Sequence, residues 1–193
     1  LYNALATLAV CYALGLNLAD LVQGFKDFSS PPMRMERRRV RGITIINDAY
    51  NANPSSMKAA LKEYSKIKVS GRRFFVCGDM AELGQDSYRF HNELGQRISY
   101  SGIDLLFVIG DYASAVAQGA REGGMPKEKI LEFNGNGSGR EGLYNSVLER
   151  LRKGDALLLK ASRCMRLEEF SQQIKDYLAK EKVRKPEPLH QNV

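Results

Sequence analysis

From residue 42 onward the chain alternates between short apolar runs and amphipathic stretches, five times in succession. The runs GITIIND (42–48), RRFFVCGDM (72–80), DLLFVIGDY (104–112), KILEF (129–133) and DALLLKAS (155–162) are rich in β-branched and aromatic residues. They have the length of strands rather than of helices. Between and after them lie SSMKAALKEYSKI (55–67), SYRFHNELGQRISYSG (87–102), YASAVAQGAREGG (112–124), REGLYNSVLERLRKG (140–154) and LEEFSQQIKDYLAK (167–180), each with helical spacing of apolar positions. Ser55 is placed to cap the first of these helices and Gly154 to end the fourth. A strand that is apolar throughout is covered on both faces, as in parallel sheets. The alternation therefore predicts an α/β fold: a Rossmann-like, doubly wound, mostly parallel open sheet.

Residues before this block read differently. NALATLAVCYALG (3–15) is Ala- and Leu-rich and stops at Gly15, which predicts a helix. Asn17 is placed to cap a second helix in LADLVQGFKDF (18–28). SSPP (29–32) disfavours helix and marks a boundary. The expected organisation is a helical segment over 1–30, an α/β domain over 31–180 and a polar tail over 181–193.

The chain has 193 residues, 44% hydrophobic and 26% charged, which is ordinary for a globular protein that buries a core. No apolar run approaches the roughly 20 residues of a membrane span. The N-terminal stretch lacks a basic region and a small-residue cleavage site, so no signal peptide is expected, and with no initiator Met the sequence reads as a piece of a longer protein. Three scattered cysteines, with no zinc spacing, predict reduced thiols and a cytoplasmic protein. The net charge of +7 comes largely from RMERRRVR (34–41) and KEKVRK (180–185). The aromatic-rich basic pattern of an RNA-binding sheet is absent, so an anionic small molecule is favoured over nucleic acid as the partner.

In a doubly wound sheet, ligands bind beyond the carboxyl ends of the strands. The polar residues that fall there are Asp48, Asp79, Asp111 and the pair Ser162–Arg163. Asp79 and Asp111 each follow a glycine, where an Asp more often caps a helix than faces a ligand. GSGREG (137–142) matches GxGxxG, but no acid stands about 20 residues on to take a ribose, and it reads as a flexible loop. No GxxxxGK[ST] phosphate loop occurs. His91 and His190 are the only histidines; a metal site or a Ser-His-Asp triad is not expected, and His91 reads as a helix-surface residue or a local hydrogen-bond partner. Lys160 and Arg163 end the last strand, placed to grip a carboxylate or phosphate. NDAYNANPSSM (47–57) carries three Asn where a turn needs one. Asp48 there could accept two bonds from a vicinal diol, with Asn51 and Asn53 as donors and acceptors and Pro54 stiffening the entry to the helix.

These segments resemble the Mur ligase family, in the branch that adds D-alanyl-D-alanine to UDP-N-acetylmuramoyl-tripeptide. DAYNANPSSM resembles its D-x-YNANP-x-S-M motif. RMERR (34–38), GDMAELG (78–84) followed by HNELG (91–95), and LLLKASRCMRLEE (157–169) resemble three further family segments in order and spacing, with Ala161 where the family usually has Gly. The opening YNALATLAVCYALG resembles the helix that ends the family's central ATPase domain, so residues 1–30 would be the end of that domain and 31–180 the C-terminal one. The resemblance implies ATP-dependent amide formation through an acyl phosphate in peptidoglycan precursor synthesis. ATP and Mg2+ would be held mainly by the central domain. Arg34 and Asp48 match positions that contact the nucleotide ribose, and Asn51 and Asn53 would shape that face. Lys160, Ser162 and Arg163 match the segment that meets the amino-acid substrates and are the candidate catalytic group. The implied partners are UDP-N-acetylmuramoyl-tripeptide and D-alanyl-D-alanine, with no nucleic acid and no membrane, and the implied protein is a monomer. A related ligase of the folylpolyglutamate or cyanophycin type, which is not expected to carry YNANP, and a non-catalytic Rossmann-type nucleotide-binding regulatory domain are the competing readings.

Overall fold

The computed structural model describes residues 2–26 and 31–180. The tail over 181–193 and the two serines of the SSPP boundary lie outside them. The chain divides into two compact units, Leu1–Pro31 and Pro32–Val193.

The first unit contains helices α1 (Tyr2–Ala13) and α2 (Leu18–Lys26). Gly15 takes a φ of 73° just past α1, a backbone region that glycine enters without steric cost. The Asn17 side chain accepts the Ala19 N–H at 3.0 Å, capping α2 as its position predicts. Leu5, Val10, Tyr12 and Leu14 are exposed on this unit.

The second unit is a six-stranded sheet of β1 (Glu36–Val40), β2 (Ile43–Asn47), β3 (Arg73–Gly78), β4 (Leu105–Ile109), β5 (Ile130–Phe133) and β6 (Ala156–Lys160). Its helices are α3 (Pro54–Lys66), α4 (Ser87–Ser99), α5 (Ala113–Glu122), α6 (Gly137–Arg150) and α7 (Leu167–Lys180). The strand order is β1-β2-β6-β3-β4-β5. The pairs β2–β6, β6–β3, β3–β4 and β4–β5 are parallel and β1–β2 is antiparallel. From β2 through β5 the chain steps across the sheet in one direction, and right-handed crossovers keep α3, α4 and α5 on one face. The return from β5 to β6 reverses direction and puts α6 on the other face, where α7 also packs after β6.

The apolar runs serve both faces alternately. Phe75 and Cys77 pack with Met57, Leu61 and Tyr64 of α3 and Val116 of α5. Phe74 and Val76 pack with Val147 of α6 and Phe170 and Ile174 of α7. Strand periodicity sends neighbouring residues to opposite faces, so a doubly covered strand must be apolar at every position. Tyr64 brings a polar atom into this core. Its hydroxyl lies 2.8 Å from Ala156 O and 3.0 Å from Phe74 O, bridging the starts of β6 and β3, and burial pushes the phenol well above its usual range. Helices α4 and α5 touch through glycines. A Cβ on Gly95 would lie 2.0 Å from Val116 O, and one on Gly119 would lie 1.9 Å from Asn92 O. That contact accounts for the glycine of HNELG.

Three local expectations are corrected. The basic segment after Arg34, read as charge and as a family-like segment but not as a strand, forms β1. Arg41 (φ 48°) and Gly42 (φ 82°) make a two-residue turn of the mirror-image type that joins antiparallel strands, so pairing with β2 overrides the absence of an apolar pattern. The cap of α3 is Asn53 rather than Ser55. Asn53 Oδ1 accepts the Ser56 N–H at 2.8 Å while Ser56 Oγ accepts the Asn53 N–H at 3.0 Å, and Pro54 occupies the first helical position. The glycine-rich run 137–142 is not a loop but the first turns of α6, started by Asn136 Oδ1, which accepts the Gly139 N–H at 2.9 Å.

Candidate functional site

The carboxyl ends of β2, β3 and β6 lie side by side in the centre of the sheet, and the segments that leave them meet in one place. Asp48 follows β2 and Lys160 ends β6. Their side chains form an ion pair of 2.7 Å, with Lys160 only 3% exposed and Asp48 14%. Lys160 Nζ also donates to Asn51 O at 2.9 Å and lies 3.4 Å from Asp48 O. These acceptors use the three donors of an ammonium. Asp48 Oδ1 accepts the Met35 N–H at 2.9 Å. The two residues, expected to face separate ligands, are brought together behind the surface.

Ser162 is also buried and joins three segments. Its N–H donates to Asp79 O at 2.9 Å, and its Oγ accepts the Ala81 N–H at 2.8 Å and donates to Ala52 O at 3.3 Å. Above it opens a groove of about 510 Å³, lined by Tyr50–Asn53, Ala81–Leu83 and Ser162–Cys164. The three asparagines of the 47–57 stretch all spend Oδ1 on backbone. Asn47 accepts the Ala49 N–H at 3.1 Å, Asn51 the Ala52 N–H at 2.8 Å, and Asn53 the Ser56 N–H. A strand exit, a turn and a helix start within a few residues use one each. The Nδ2 groups of the exposed Asn51 and Asn53 have no partner among the described residues.

Two exposed guanidinium groups border this region. Arg34 lies over the ring of Tyr50, 4.4 Å from its centroid, in a cation–π contact. Arg163 is 56% exposed; its Nη1 pairs with Glu168 at 3.0 Å and sits 2.8 Å from Met33 Sδ, while its Nη2 has no partner among the described residues. Arg34, Asn51, Asn53 and Arg163 thus offer donors at the surface, and Asp48, Lys160 and Ser162 are committed beneath it.

Asp79, at the exit of β3, accepts the N–H groups of Asp111 (2.8 Å) and Tyr112 (3.1 Å), just before α5. Partial burial holds its carboxyl above the usual range, and those two bonds oppose the shift. It serves the helix start, as the commoner role of such an Asp predicts. Asp111 is exposed, with its own N–H spent on Asp79. His91 is fully buried, not on the helix surface. Nε2 accepts the Met80 N–H at 2.9 Å, so Nδ1 carries the proton and donates to Ser87 O at 2.6 Å. Burial pushes this imidazole below its usual range, and it stacks on Tyr112 at 4.5 Å. Together they hold residues 79 and 80, which lead into the Ala81–Leu83 rim of the groove.

Sequence reasoning passed over Tyr50 and Glu82. Glu82 lines the groove with an exposed carboxylate, no partner among the described residues, and a φ of 62°. Its signal was its place in the short link between a strand end and the next helix. Among the described residues no group of three or more His, Cys, Asp or Glu could hold a metal ion. No described helix is long and apolar enough to cross a membrane.

Comparison with known proteins agrees with this layout. Residues 33–163 match the model of "Mur ligase, glutamate ligase domain". The UDP-N-acetylmuramoyl-tripeptide--D-alanyl-D-alanine ligase of Bacillus subtilis is 37% identical over 169 residues, which cover 87% of this chain and 36% of that protein. The ligase of the same name from Mycobacterium tuberculosis is 31% identical, covering 83% of this chain and 34% of its own. Among solved structures, MurF from Acinetobacter baumannii superposes with a TM-score of 0.77 at 29% identity, over 90% of this chain and 37% of that one. MurF from Thermotoga maritima, solved in complex with ADP, gives 0.69 at 28%, over 91% and 37%. The chain spans about a third of the length of these relatives. With a family model matched over 33–163 and a relative at 37% identity, the chain belongs to the Mur ligase family.

Proposed function

We propose that this chain is the C-terminal part of an ATP-dependent amide ligase that joins D-alanyl-D-alanine to UDP-N-acetylmuramoyl-tripeptide. The observation that carries the reading is the convergence of three family-like segments, through Tyr50–Asn53, Ala81–Leu83 and Ser162–Cys164, on one groove at the carboxyl edge of the sheet. The name borne by the relatives at 37% and 31% identity supports the choice of substrates.

The surface donors suit anionic ligands. Arg34 on Tyr50 and the free amide nitrogens of Asn51 and Asn53 face the side assigned to the nucleotide. ATP, when bound, supplies the phosphoryl group that activates a substrate carboxylate. Arg163, oriented by Glu168, keeps an open edge of its guanidinium for the carboxylate of the dipeptide, which would hold the amine in line for attack. Ser162 and Lys160 hold the groove floor, and a closed groove keeps water from the activated carboxylate. Mg2+ is assigned to the rest of the ligase, the part that would hold most of the ATP. The reading takes the enzyme to be cytoplasmic and monomeric, with neither nucleic acid nor membrane as a partner. It takes the 193-residue chain alone to be inactive.

The test is phosphate release and product mass with the complete ligase. Release should require both UDP-N-acetylmuramoyl-tripeptide and D-alanyl-D-alanine and yield the pentapeptide. Turnover with glutamate in place of the dipeptide, and none with the dipeptide, would reject the reading.

A further inference from the structure

Glu82 stands on the groove rim in a backbone conformation that costs free energy. Its φ is 62°, in the left-handed region that a side-chain-bearing residue enters only when its surroundings hold it there. Its neighbours do the holding. The Met80 N–H donates to His91 Nε2 at 2.9 Å, the Ala81 N–H donates to Ser162 Oγ at 2.8 Å, and Leu83 packs on the core shared by α3, α4 and α5. Between these anchors Glu82 is exposed, with no partner for its carboxylate among the described residues. The fold itself makes no use of this acid, and a glycine would take the same turn at lower cost.

The other carboxylates nearby are spent. Asp48 gives Oδ2 to Lys160 and Oδ1 to the Met35 N–H. Asp79 gives one oxygen each to the Asp111 and Tyr112 N–H groups, and Glu168 pairs with Arg163. Asp111 is exposed but does not line the groove. Among the described residues that line it, Glu82 is the one acid and Arg163 the one base.

We propose that Glu82 is a specificity-determining residue of the ligase, receiving the ammonium of D-alanyl-D-alanine while Arg163 receives the carboxylate. The inference rests on the ligase reading given above and adds the amino end of the dipeptide to it. The dipeptide is a zwitterion whose charges lie at most about 7 Å apart, short enough for both ends to fall in a groove of about 510 Å³. An ammonium that approaches a chain of net charge +7, at a groove bordered by Arg34 and Arg163, is repelled unless an anion meets it. Glu82 supplies that anion. Opposite charges on one groove also set the direction in which the dipeptide lies, and a ligand with either end blocked leaves one of them unmatched.

The test uses the complete ligase, saturated with ATP and UDP-N-acetylmuramoyl-tripeptide, and three probes. D-alanyl-D-alanine keeps both charges, D-alanyl-D-alanine amide keeps only the ammonium, and N-acetyl-D-alanyl-D-alanine, an inhibitor that cannot react, keeps only the carboxylate. Glu82→Gln should raise KM for the dipeptide and for its amide about 10-fold each, the scale of one charge-assisted bond. Inhibition by the N-acetyl compound and KM for ATP should stay within about 2-fold of the parent, since neither uses that bond. Arg163→Ala should give the reverse: weaker inhibition by the N-acetyl compound and a parental KM for the amide. Glu82→Gly removes the charge and the strained φ together, so it should match the kinetic loss of Glu82→Gln with a urea midpoint at or above that of the parent. A residue that only shapes the turn would weaken all three probes alike in Glu82→Gln, and that result overturns the proposal. Failure of the parent ligase to turn over the dipeptide rejects the ligase reading, and the proposal with it. A parent that turns it over, with an unchanged dipeptide KM in Glu82→Gln, rejects the proposal and leaves the ligase reading standing.

Discussion

His91 Nε2 stands 4.0 Å from Asp79 Oδ1 and does not bond to it, because that nitrogen accepts the Met80 N–H. The imidazole is therefore folded in as a neutral acceptor, and a proton on Nε2 would face the Met80 N–H. The groups around it are Asp79, Ser87 O and the Tyr112 ring.

This arrangement sets a pH dependence. Burial, the largest cause, places the folded His91 below the ordinary imidazole range, so the unfolded chain binds the proton first as pH falls. The associated stability is complete above about pH 6.5 and is lost as pH falls through that value toward the folded one. Asp79, raised by burial, contributes the opposite slope from the ordinary carboxylate range upward. Urea denaturation at pH 7.5 and 5.5 should show a drop in stability that shrinks in His91→Gln, whose oxygen can accept from Met80 and does not titrate. An equal drop in the variant would remove His91 as the source.

The helix contact at Gly95 predicts a steric cost. A methyl group there meets Val116 O at 2.0 Å, and neither is the free end of a flexible side chain. Gly95→Ala should destabilise the domain by about 1–3 kcal/mol through forced separation of α4 and α5, despite the higher helix propensity of Ala. Denaturant midpoints of the two proteins measure it.

At the opposite edge of the sheet from the groove, Asp155 is almost fully buried. It accepts the backbone N–H groups of Arg72 and Arg152, both at 2.9 Å, and pairs with Arg72 Nη2 at 2.9 Å. Asp155→Ala leaves two inward-facing N–H groups without acceptors and should cost about 3 kcal/mol, with turnover per folded ligase unchanged. A thermal melt and a kinetic assay on the same sample check both halves.

Arg163→Ala should raise KM for the dipeptide by about 10-fold or more, the scale of a charge-assisted bond, and leave KM for ATP within about 2-fold. Arg163→Lys should recover little, because a point charge cannot replace a planar fork. Steady-state kinetics with each substrate varied in turn decides this. A parental dipeptide KM in Arg163→Ala would make the group a link between Glu168 and Met33 only.

The sheet was legible because its strands are covered twice. Phe74 to Cys77 must be apolar at every position, and that run cannot be mistaken for a solvent-facing segment. β1 was not legible for the converse reason: Arg37, Arg38 and Arg39 are exposed, and their strand exists through its turn and through β2. At the site, sequence located the residues but not their directions. Asp48, Lys160 and Ser162 were all placed at strand ends. Whether a side chain there turns outward or toward the neighbouring strand depends on which strands are neighbours, and nothing in the chain's linear order says that β6 lies beside β2. The backbone roles of the three asparagines were hidden in the same way, since each Oδ1 answers a backbone need that appears only when the strand exit, turn and helix start are built.

The strand made last among the six fills the middle of the sheet. Until residues 156–160 leave the ribosome, the β1–β2 hairpin and the β3–β4–β5 half share no ladder, and each presents an open edge to the other and to the surroundings. Both halves must wait for a segment more than 100 residues downstream of β2, a separation that slows folding and leaves a nascent chain open to mispairing. A ribosome stalled before residue 156 would hold two sticky half-sheets, so this domain is expected to complete late, in a single closing step driven by β6.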